Sequence, residues 1–120
     1  MARRKSNYRH FANFYIAGFT FYEGCMAIHR LRPGTKLTME RDADNRYDEN
    51  AVAIYFDDFH LGYVPRSCNE QLAQLMDMGY GDIFELRVQR VAPEATPEHQ
   101  VSAILYLKAR EMERDEDDIK

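Results

Sequence analysis

The run Asp44-Asn45-Arg46-Tyr47-Asp48-Glu49-Asn50-Ala51-Val52-Ala53-Ile54 passes from a polar turn into a strand without a break. Asp44 and Asn45 are turn formers, and the side chains of Asp48 and Asn50 can bond nearby backbone groups. Beyond them Val52, Ile54 and Phe56 alternate with Ala51, Ala53 and Tyr55. That period of two predicts a strand with one face in a core. A tyrosine beside an acid at the mouth of such a strand is placed to meet a ligand. The same pair also fits a plainer role, with Tyr47 a rim aromatic and Asp48 a turn or capping residue.

Downstream, Asp57-Asp58 makes a short turn, and His60-Leu61-Gly62-Tyr63-Val64 returns as the second strand of a hairpin. Pro65 then opens a helix. Ser67-Cys68-Asn69-Glu70 has the pattern of a capping box. Cys68, Leu72, Leu75 and Met76 share one helical face, and Gly79 is the expected stop. Upstream, Thr35 to Arg41 alternates as a strand with Leu37 and Met39 inward, preceded by the turn Pro33-Gly34. Ala27 to Leu31 fits a short helical turn. Phe14 to Phe19 is aromatic and β-branched, a strand. Gly18 and Gly24 bracket Phe19, Phe21 and Tyr22, and glycine lets the backbone expose or redirect such aromatics.

Two more strands follow the helix: Ile83 to Val91, with Phe84, Leu86 and Val88 on one face, and Val101 to Lys108. The last has Val101, Ala103, Leu105 and Leu107 on one face and Ile104 and Tyr106 on the other, which predicts cover on both sides. Pro93 to Glu98 is a polar loop between them. Five or six short strands and one main helix predict a mainly β (α+β) domain, a small barrel of the OB or SH3 type. Residues 1–11 read as a flexible basic arm, 12–108 as the domain and 109–120 as an acidic tail. The bases of the arm serve solubility or contact phosphate.

The 120 residues suffice for one ordinary domain. Hydrophobic residues at 45% and charged ones at 30% describe a soluble globular chain, and no apolar run nears the ~20 residues that span a bilayer. No apolar stretch follows the basic Met1 to Lys5, so a secretory signal is not expected. Cys25 and Cys68 form no CxxC, and reduced thiols in a cytoplasmic protein are expected. The net charge of −4 is concentrated at the end: six acids and three bases stand in residues 109–120, against 14 acids and 13 bases before them. A near-neutral body lacks the bulk positive field of a nucleic-acid coat protein, so any such binding must come from a local site.

Asp42-Ala43-Asp44 starts like a calcium loop, but Tyr47 replaces its glycine and Ala53 its final glutamate. Cys25 and His29 lie four apart with no second pair at zinc spacing. His10, His29, His60 and His99 are scattered. There is no GxSxG, GxxxxGK[ST], HExxH or GxGxxG in context, so neither an enzyme nor a cofactor is expected. Binding remains, and three segments converge on it: Gly18 to Gly24, Asn45 to Asn50, and Gly62-Tyr63-Val64-Pro65-Arg66 at a helix N-terminus. Aromatics stack on bases, an arginine and a helix N-terminus hold phosphate, and an acid accepts a bond from a sugar hydroxyl.

These segments, in this order, resemble the HIRAN domain. The resemblance rests on Phe14 to Gly24, Leu37 to Val52 with its NxYDxNA core, and Leu61-Gly62-Tyr63-Val64-Pro65, and it covers about residues 12–108. It implies a small OB-like barrel. It further implies capture of the 3′ end of single-stranded DNA, a role that eukaryotic members perform when fused to fork-remodelling ATPases. Bacterial and phage members are often free-standing, as this chain is expected to be, with a helicase or nuclease in trans. By position, Tyr47 would stack on a base and Asp48 would meet the terminal hydroxyl. Phe21 and Tyr22 would form the other wall, Arg66 would approach a phosphate, and Tyr63 would lie beside it. Thr20 stands where the eukaryotic pattern has arginine, and Phe21 where it has tyrosine. The alternative is a protein-interaction module that uses the same groove or the acidic tail.

Overall fold

The computed structural model describes residues 7–109. Six strands form: β1 (Tyr8–Tyr15), β2 (Lys36–Arg41), β3 (Val52–Phe56), β4 (Phe59–Tyr63), β5 (Phe84–Val91) and β6 (Val101–Lys108). All neighbours are antiparallel, in the order β1-β6-β5-β2-β3-β4. The first strand therefore lies beside the last, with Tyr8 opposite Lys108, and the Ala109 amide donates to the Asn7 carbonyl at 2.8 Å.

The sheet closes on itself. Past β1 the chain runs through Ile16, whose amide bonds Val101, to Ala17, which exchanges both backbone hydrogen bonds with Tyr63 of β4 at 2.9 Å each. Closure at this seam demands glycine at position 62. Gly62 has φ +148°, and a Cβ there would stand 2.2 Å from the Ala17 carbonyl oxygen. The result is the expected small OB-like barrel, with six strands.

Inward-facing side chains fill the barrel, Ile16, Phe19, Val52, Ile54, Leu61, Leu72, Leu86 and Leu105 among them. Helix α1 (Gly24–Ala27) runs into a 3₁₀ turn at Ile28–Arg30, so the short helical segment starts three residues before Ala27. Helix α2 (Arg66–Asp77) buries Leu72 and Ala73, with Cys68, Leu75 and Met76 packed half-buried against the core. It ends in a Schellman motif: Gly79, at φ +92°, donates to Met76 at 3.0 Å, and Tyr80 donates to Leu75 at 2.9 Å.

Three expectations need correction. Residues 8–11 belong to β1 and not to an arm; Tyr8, Arg9 and His10 are exposed and pair through the backbone with β6, so this end leaves no apolar pattern. Residues 1–6 of the arm, and all of the acidic tail except Ala109, lie outside the described residues. The capping box does not form. Extended Pro65 is the N-cap and has no side-chain cap bond, which places Ser67 inside the first turn with its Oγ 3.6 Å from the Cys68 Sγ. Finally, β3 is buried on both faces from its start: Val52 and Ile54 enter the core, while Ala51 and Ala53 are covered as well.

Candidate functional site

The loop from Asp42 to Asn50 joins β2 to β3, and side chains hold it in place. The side chain of Asn45 accepts the amides of Tyr47 at 2.8 Å and Asp48 at 3.0 Å on Oδ1, while its Nδ2 donates to Asp42 Oδ2 at 3.1 Å. Asp48 Oδ1 accepts the Asn50 amide at 3.0 Å, an Asx turn that leads into β3. Arg41, at the end of β2, grips the loop from behind. Its Nη1 donates to Ala51 O at 2.7 Å and its Nη2 to Glu49 O at 3.1 Å. The same guanidinium takes Asp77 of α2 bidentately, at 2.8 and 3.1 Å. That bond raises the Arg41 pKa and lowers that of Asp77.

Two further ties join the loop to the barrel. Tyr63, beside the closure seam, donates its hydroxyl to Asp42 Oδ2 at 2.7 Å. The Tyr63 hydroxyl and then the Asn45 amide hold the Asp42 carboxyl below the ordinary carboxylate range. Burial, and then Asp42, push the Tyr63 phenol well above its ordinary value. From α2, Asn69 is 2% exposed and donates to Asp48 Oδ2 at 2.8 Å. Arg66, first residue of α2, donates from Nη2 to the Tyr47 carbonyl and places Nε 3.7 Å from Asp48 Oδ2.

A shallow cleft of about 220 Å³ lies where these parts meet. Tyr22, Tyr47, Asp48, Tyr63 and Arg66 all line it, with Asn45 between them. Tyr47 is 82% exposed and offers its ring to solvent. Phe21, 84% exposed, sits at the rim, its ring centroid 5.6 Å from that of Tyr22 in an edge contact. Tyr22 meets Tyr63 edge-on at 5.5 Å and His60 at 4.4 Å, and Tyr55 stacks on His60 from the far side at 4.9 Å. The Gly18–Gly24 segment thus divides its aromatics: Phe19 goes into the core and Phe21 and Tyr22 come out.

Five of the six expected residues are therefore brought together, and Phe21 flanks them. Asp48 fills the turn role as well as facing the cleft: each carboxylate oxygen already accepts one bond, out of the roughly four lone-pair sites a carboxylate offers. Four residues in the site went unassigned. In the sequence Asn45 lies in one of the three converging segments but reads there as a turn former, Asn69 reads as part of a cap, and Arg41 and His60 read as strand residues. A buried asparagine that reaches an acid 21 positions away leaves no local pattern. Among the described residues no three His, Cys, Asp or Glu side chains cluster as metal ligands, and no helix is long and apolar enough to cross a membrane.

The family model for the HIRAN domain matches residues 10–109. Among solved structures, a protein from Lactobacillus plantarum superposes with TM-score 0.68 at 22% identity, over 83% of this chain and 94% of the other. The HIRAN domain of human HLTF superposes with TM-score 0.55 at 17% identity, over 81% and 75%. Among curated proteins none matches the sequence.

Proposed function

The chain belongs to the HIRAN domain family, a family of DNA-binding domains, and from that premise we propose that its cleft takes the free 3′-hydroxyl end of single-stranded DNA. The observation that carries this reading is the convergence of Tyr22, Tyr47, Asp48, Tyr63 and Arg66 on one opening. Tyr47 and the Phe21–Tyr22 wall are stacking surfaces for terminal bases. The Arg66 guanidinium has donors left beyond its bond to Tyr47, and with the N-terminus of α2 it favours a phosphate. Asp48 is the acceptor for the terminal hydroxyl. A carboxylate near a polyanion is costly unless a donor faces it, and the end of the strand supplies one. The module binds and does not catalyse on this reading. Its partners are a helicase or nuclease that produces such ends, acting in trans in replication-fork or repair processing, in the cytoplasm.

The test is fluorescence anisotropy with matched strands ending in 3′-hydroxyl or 3′-phosphate. A hydrogen bond to a charged acceptor contributes about 1.5–3 kcal/mol. Wild type should prefer the hydroxyl end by at least about tenfold, or about 1.4 kcal/mol. Asp48→Ala should erase most of that preference. Because Asp48 also holds the Asn50 amide and Asn69, this variant should melt earlier as well, so the end preference is the deciding readout. Tyr47→Ala should weaken both ends by about 1–3 kcal/mol with little change in melting temperature. Equal wild-type affinities for the two ends would sink end capture. Affinity retained in Tyr47→Ala, with a lower melting temperature, would make that ring structural and favour the protein-interaction alternative.

A further inference from the structure

Away from the cleft, the outer face of β1, β6, β5 and β2 holds a second charged group of residues. At its centre is Glu85 of β5, 4% exposed. Arg87 Nε donates to Glu85 Oε2 at 2.6 Å, and the Tyr8 hydroxyl donates to Oε1 at 3.4 Å. Two ammonium groups flank that same Oε1, Lys36 Nζ at 3.8 Å and Lys108 Nζ at 3.9 Å. The strand register builds this arrangement, with Lys36 opposite Arg87, Glu85 opposite Tyr106, and Tyr8 opposite Lys108.

The charge does not balance. A buried carboxylate needs a partner, and Arg87 with Tyr8 provides it. The lysines lie beyond hydrogen-bond range of Glu85, and among the described residues no hydrogen bond takes up their ammonium donors. Among the described residues Glu85 is the only carboxylate paired with either of them. Their side chains are 60% and 35% exposed. One acid thus orients three cations and neutralises one. Each ammonium group can take a phosphate of its own on the side turned away from Glu85, so two neighbouring phosphates of one strand can be held. Beside Lys108 the Tyr8 and Tyr106 rings meet edge to face at 5.7 Å, and Tyr8 is 41% exposed. Cations interleaved with tyrosines on an open sheet face suit a nucleic-acid strand, with phosphate on the lysines and a base against the rings.

We infer that the Lys36–Arg87–Lys108 cluster is a second contact for nucleic acid, a phosphate site that holds the strand after it leaves the cleft. Lys36 opens β2 and Arg41 ends it behind the loop, so the cluster stands a full strand away from the base of the loop, about 17 Å at ~3.3 Å per residue. The choice of a nucleic acid as the polyanion rests on the reading of the cleft given above.

The test uses the full chain and the double variant Lys36→Gln with Lys108→Gln, which removes two charges and keeps most of each stem. Single strands with 3′-hydroxyl ends are titrated over a range of salt, at about 2 nucleotides, too short to reach from the cleft to the cluster, and at about 16, the upper end of the site sizes for OB folds. The long strand should lose about tenfold in affinity, and its log–log salt slope should fall by about 1.4 for two phosphate contacts. The short strand should bind as it does to wild type. Lys36→Gln alone should show about half the change in slope, which keeps the test open if the double variant folds poorly. Unchanged binding of the long strand, or an equal loss at both lengths, overturns the inference. A wild type that binds only the long strand, and weakly in the variant, keeps this site and removes the cleft reading. A wild type that binds neither strand removes both.

Discussion

The bond from the Tyr63 hydroxyl to Asp42 Oδ2, at 2.7 Å, is where pH should act on the cleft. The folded-state pKa of Asp42 is lowered, so its contribution to stability is present above the ordinary carboxylate value and is lost as pH falls through the lowered one. Tyr63→Phe removes the largest cause of that shift. The variant should be less stable than wild type by about 1.5–3 kcal/mol at neutral pH. The gap should begin to narrow below about pH 4, since protonation takes the charge from the acceptor in wild type and leaves a weaker neutral bond. Urea titrations at several pH values measure it; a gap that persists unchanged into strong acid would assign the loss to packing. At this scale the site was only partly legible. Tyr47, Asp48 and Tyr63 stood out because they follow turn and strand signals closely. Asn45 looked like any turn residue, yet it makes three side-chain bonds that set the loop.

Helix α2 makes a different kind of prediction, because its two leucines are not equivalent. Leu72 is fully buried in the core, whereas Leu75 packs half-buried at its edge. Leu72→Ala should cost about 2–5 kcal/mol, and Leu75→Ala clearly less. Chemical denaturation of both variants decides this; equal costs would mean that the helix tilts further into the barrel than the burial of these two residues implies. Element type was legible wherever side chains alternate or recur. The β3–β4 hairpin, the helix after Pro65 and its stop at Gly79 all follow from local pattern. Where a segment is held by strand pairing and polar side chains instead of a buried apolar face, pattern fails. Tyr8 to His10 join β1 by pairing with β6 while staying exposed, and no periodicity announces such a segment. The first helical turn failed for another reason: Ser67 has the right side chain, but Pro65 is already the residue that enters the helix.

For the whole molecule, closure of the barrel concentrates at one seam. Gly62→Ala would put a methyl group 2.2 Å from the Ala17 carbonyl oxygen, in backbone geometry that alanine rarely adopts. The cost should be at least about 1–3 kcal/mol, as for overpacked cores. Hydrogen exchange at the Ala17 and Tyr63 amides should rise more than exchange elsewhere in the sheet. Uniform acceleration across all strands would argue against a local seam. The barrel class was legible from strand count and spacing, but the pairs that close it join residues 17 and 63, and short-range pattern carries no record of such a pairing. The pairing of β1 with β6 has a separate consequence for how the domain can be built into larger proteins. Asn7 and Ala109 share a hydrogen bond, so the polypeptide enters and leaves the fold at adjacent points. A host protein could therefore carry the whole unit as a loop insertion, with its own chain resuming about 5 Å from where it was interrupted.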